Sequence, residues 1–88
     1  MKVSFKNILI QPTLKGEAQK VDLTDTVAEA VYENAVSFNE HKLAHRISES
    51  GDEMDLTEEE VGVVKRAISR WRFFLQKPLL EQFGVKFD

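Results

Sequence analysis

The sequence predicts a mainly α-helical fold: three to four short helices with a small N-terminal β-strand or hairpin, an α+β arrangement being its near alternative. Three observations carry that expectation. Apolar residues recur at three- and four-residue steps in several windows, as in helices that bury one face. Ser, Thr and Asp stand just ahead of those windows, where helices need side-chain caps. Alternation of apolar and polar residues, the mark of a half-buried strand, is confined to the two ends of the chain.

The N-terminal segment reads MKVSFKNILIQ. Val3 and Phe5 alternate with Lys2, Ser4 and Lys6, which predicts a strand. Ile8, Leu9 and Ile10 extend it or anchor a turn. Pro12 and Gly16 punctuate the loop that follows, and a hairpin returning through residues 19–23 is weakly signalled. At the other end Val85 and Phe87 alternate again, so the tail, residues 84–88, is a candidate partner for the first strand, since a lone strand is not stable.

The first helix is expected over residues 26–36, with Thr24 or Asp22 as its cap and Asp25 against its dipole. Val27, Ala30, Val31, Asn34 and Phe38 fall on one side of it. Ser37 or Asn39 then caps a second helix that runs to about residue 49, with Leu43, Ala44 and Ile47 apolar, and Ser50, Gly51 and Asp52 stop it. The triplet DLT precedes both the first and the third helix. The residues after each copy differ, so this is one capping solution used twice, not a repeat array.

The third helix has the strongest signal. Thr57 and Glu60 form a capping box, and Glu58, Glu59 and Glu60 oppose the positive end of the dipole. Val61, Val64, Ile68, Trp71 and Leu75 then recur as one stripe, so the helix is expected to run on to Lys77. There Pro78 disfavours helical geometry at the preceding residue. Pro78 would open a last short helix, with Gly84 as its stop.

Size and composition narrow the function classes. The chain has 88 residues, 42% hydrophobic and 31% charged, which fits one domain spanning residues 1–88. It has no cysteine, which excludes disulfides, thiolate zinc sites and a Cys nucleophile. A net charge of −3 is unlike the basic balance of general nucleic-acid binders. No apolar run approaches the ~18 residues of a membrane helix, and the N-terminus lacks a signal-peptide core. The expected location is the cytoplasm.

Winding a continuous third helix at 3.6 residues per turn places Arg66, Arg70, Phe73 and Lys77 along one line away from the apolar stripe, with Lys65 and Arg72 on the other border. Such a face suits an acidic protein groove with Phe73 as anchor, or phosphates; otherwise it is a solvated surface with Phe73 tucked under the C-terminal segment. His41 and His45 share a helix face, with Glu40 or Glu49 as possible third ligands, but HKLAH lacks the Glu of a metalloprotease helix and there is no Cys or convincing remote ligand. They are read as surface or boundary histidines, and no metal is expected. The acidic residues 49–60 match a calcium loop in length and final Glu. They lack its central Gly and its order of ligands, so they are read as a solvated loop. No glycine-rich phosphate loop or nucleophile–base set is present, so neither an enzyme nor a cofactor is expected.

Taken in order, residues 2–5, residues 23–36, residues 41–47 and residues 55–68 resemble a loose group of small phage and prophage proteins of uncharacterised role. The shared pattern is a short strand, a polar loop, an LT-capped Ala-rich helix, a second helix, and an acidic turn with a (D/E)LTxEE-capped helix. This chain departs from it in a shortened middle helix and in the basic, Trp-containing residues 69–77. The resemblance implies a phage-encoded accessory protein of the host cytoplasm and brings no site residues with it. The leading expectation is a non-enzymatic module that binds a host or phage protein through Arg66, Arg70, Phe73 and Lys77. The alternative is a small nucleic-acid-binding regulator using the same basic face, and self-association through Trp71, Leu79, Leu80 and Phe83 is a third reading.

Overall fold

The computed structural model describes residues 1–87. In chain order the elements are β1 (Lys2–Val3), β2 (Ile8–Ile10), β3 (Gln19–Val21), α1 (Thr24–Asn34), α2 (Phe38–Ser48), β4 (Met54–Asp55), α3 (Glu58–Ala67) and α4 (Phe73–Gln82). The fold is mainly α with a small β component, as the periodicities predict.

The N-terminal segment divides into two strands with different partners. β2 and β3 form the antiparallel hairpin, Ile8 opposite Val21 and Ile10 opposite Gln19. β1 instead pairs antiparallel with β4, Lys2 opposite Asp55 and Val3 opposite Met54. The expected pairing of β1 with the C-terminal tail is therefore corrected. Residues 84–87 form no strand, and the edge of β1 is taken by the acidic turn before α3. The division falls at a bend over residues 5–7, where Phe5 points into the core at 1% exposure. Burying that ring gives more than continuing a flat ladder, because it removes a large apolar surface from water.

α1 begins and ends two residues earlier than predicted. Leu23 occupies the N-cap position, while Asp22 accepts the Thr24 N–H at 2.9 Å and so closes the turn into the helix. α2 begins as predicted, with the Ser37 hydroxyl accepting the Glu40 N–H at 3.2 Å. α1 packs on α2 and on α3, burying Val27, Val31, Leu43, Ile47 and Val64. At the start of α3 the capping box is complete. Glu60 N–H donates to Thr57 Oγ1 at 3.2 Å, and Thr57 N–H donates to Glu60 Oε1 at 3.0 Å.

The long third helix is the main correction. α3 ends at Ala67, a turn covers residues 68–72, and α4 restarts at Phe73 with Pro78 inside it. Two forces override the proline. Gln76 Nε2 donates to the Trp71 carbonyl at 2.6 Å and the Ser69 carbonyl at 3.3 Å, satisfying acceptors that the break exposes. Leu79 and Phe83, just past Pro78, are buried at 0% and 6% exposure. That burial outweighs the one helical hydrogen bond a proline forfeits. Gly84, at φ 89°, ends α4 as predicted. The Val85 N–H reaches back to the Leu80 carbonyl and the Gly84 N–H to that of Glu81, the glycine-terminated helix end expected at a left-handed residue.

Candidate protein-interaction surface

The break between α3 and α4 redistributes the four predicted contact residues into two pairs. Arg66 lies in the last turn of α3, and its guanidinium forms an ion pair with Glu40 of α2. Arg70 stands exposed in the turn, and the two arginines border a recess with Glu33, Asn34 and Trp71. This end mixes charges of both signs, and one of its cations is already engaged.

Phe73 and Lys77 lie elsewhere, one turn apart on α4. They share a cleft of about 580 Å³ with Leu9 of β2, Leu14 of the hairpin loop, and Pro78 and Glu81 of α4. Leu9, Leu14 and Phe73 are 57%, 91% and 55% exposed. The Phe73 ring is braced edge-on by Phe87, with centroids 5.2 Å apart. Phe73 is thus held by the tail, as one of the sequence readings allowed, yet it keeps more than half of its surface open. Lys77 makes no ion pair among the described residues.

Neither Leu9 nor Leu14 was among the predicted contact residues. Leu9 sits between two buried isoleucines, so an all-apolar triplet hides its outward direction. Leu14 carried a signal: it is the one large apolar side chain in the polar loop QPTLKGEAQ, where nothing local can bury it.

The histidine pair is also ordered. His41 and His45 bring their Nε2 atoms to 3.3 Å, and Tyr32 of α1 packs against both rings, at 5.1 Å and 6.1 Å between centroids. Among the described residues no three His, Cys, Asp or Glu side chains gather as a metal-binding group. No helix is long and apolar enough there to cross a membrane.

Family models, curated proteins and solved structures yield no match to this chain. The surface has to be interpreted from its own chemistry. It joins an apolar cleft with an open aromatic face to the Lys77 cation and the Glu81 carboxylate.

Proposed function

We propose that this chain is a non-enzymatic protein-interaction module that takes a short apolar–acidic segment of a partner protein into the cleft between the hairpin loop and α4. The observation that carries this reading is the exposure of Leu9, Leu14 and Phe73 around one concavity. Large apolar side chains gathered at a rimmed cleft mark interaction surfaces far more often than isolated ones do. Phe73 is the anchor, pre-oriented by Phe87, so little rotamer freedom is lost on binding. Lys77 attracts an acidic group of the segment, and Glu81 one turn on repels it, which fixes the segment's direction. Arg66 and Arg70 form a separate, peripheral patch that steers an acidic partner without seating it.

Support for the nucleic-acid alternative is weaker, because Arg66 is paired with Glu40 and no straight cationic stripe runs from Arg66 to Lys77. In the preferred reading the chain serves as a phage or prophage accessory protein acting in the host cytoplasm, on the strength of the order of its capped helices.

A random-peptide display library selected on the purified chain tests the proposal. Enriched peptides are expected to carry an apolar residue close to Asp or Glu, and Phe73→Asp with Lys77→Glu should weaken them about tenfold or more. Arg66→Glu with Arg70→Glu should weaken them less. No enrichment, or equal binding by the folded cleft variant, would overturn the assignment.

A further inference from the structure

We infer that His41 and His45 form a two-histidine clip for a zinc-class divalent cation on the flank of α2 beside Tyr32 of α1. Two histidines four apart on a helix share a face, but that alone does not aim their nitrogens. Here both Nε2 atoms converge to 3.3 Å. A tetrahedral zinc ion with Zn–N bonds of 2.0–2.1 Å needs its two nitrogens about 3.3–3.4 Å apart. Square-planar geometry would bring them to about 2.9 Å. The separation therefore matches the tetrahedral ion.

Three further features suit a cation. Tyr32 packs against both imidazoles from the neighbouring helix, so ring orientation is held before an ion arrives. Asp25 and Glu29 of α1 line the recess shared by His45 and Tyr32, and two carboxylates there lower the electrostatic cost of a positive ion without ligating it. The cations of α2 on either side are occupied elsewhere: Lys42 lies over the Phe38 ring at 5.4 Å, and Arg46 pairs with Glu60. The clip supplies two protein ligands and water the remainder, so its affinity falls below that of a structural site with four.

Zinc chloride titrated into the purified chain at about pH 7.5, followed by calorimetry and by the histidine ring-proton resonances, tests the inference. A single saturable site is expected, with shifts centred on His41, His45 and Tyr32. His45→Ala, at an exposed position, and His41→Ala should each weaken zinc by about tenfold or more. Absence of saturation at millimolar zinc, or affinity unchanged in His45→Ala, would overturn the clip and leave the pair as a hydrogen bond between rings.

Discussion

Ser4 and Gln82 are joined by a reciprocal pair of hydrogen bonds. The Gln82 amide donates from Nε2 to the Ser4 carbonyl at 2.7 Å and accepts the Ser4 N–H on Oε1 at 2.9 Å. Ser4 follows β1 directly, and Gln82 is the last residue of α4. A side chain thus imitates a neighbouring strand where the β1 ladder would otherwise end with two unpaired, partly buried backbone groups.

Gln82→Ala removes both partners at once and leaves the Ser4 N–H and carbonyl unsatisfied. The expected loss is about 1–3 kcal/mol, equivalent to a fall in melting temperature of ~4–8 °C for each kcal/mol in a domain of this size. Urea denaturation of Gln82→Ala and Gln82→Glu checks the geometry. The glutamate keeps the acceptor but sets a carboxylate oxygen against the Ser4 carbonyl, so it should not restore the stability of the unaltered chain.

Glu60 links stability to pH. Burial raises its carboxyl, but the Thr57 N–H and hydroxyl together with the Arg46 guanidinium outweigh it, holding the group below its ordinary value of 4.5. On acidification the unfolded chain therefore takes up this proton first. The stabilisation is present above pH 4.5 and is lost as pH falls through the lower folded value. Denaturant midpoints measured from neutral pH downward should decline less steeply for Glu60→Gln than for the unaltered chain. Equal slopes would show that Glu60 is not a source of the dependence.

Two glycines should respond in opposite directions. Gly62 lies inside α3, and an added methyl would meet nothing within 4 Å, so Gly62→Ala should stabilise by about 0.5–1 kcal/mol through helix propensity. Gly84 also has open space, but its φ of 89° is a conformation alanine resists. Gly84→Ala should destabilise by about 1 kcal/mol or more. Thermal melts of the two variants should therefore move to either side of the parent.

What was legible in the sequence was what short-range physics determines. The Thr57–Glu60 box, the Ser37 cap and the Gly84 stop each depend on residues within about one helical turn. The break after Ala67 was hidden because Trp71, in the turn, packs on the same core as Val64 and Leu75. The apolar spacing continues while the helix does not. Pro78 marked the wrong boundary, since Leu79 and Phe83 bury deeply enough to hold helical geometry around it. The pairing of β1 with β4 was hidden for another reason: nothing in Lys2–Val3 selects Met54–Asp55 over the equally alternating tail. The candidate cleft inherits both blind spots, assembled from a hairpin loop and a helix start that share no local pattern.

The pairing of β1 with β4 also orders events during synthesis. Residues 2 and 3 leave the ribosome well ahead of their partner strand at residues 54 and 55. Helices α1 and α2, adjacent in sequence and packed on each other, can form in the interval, because short loops close with little entropic penalty. β1 therefore waits for β4 before it can pair, and until then its backbone is open to water and to other chains.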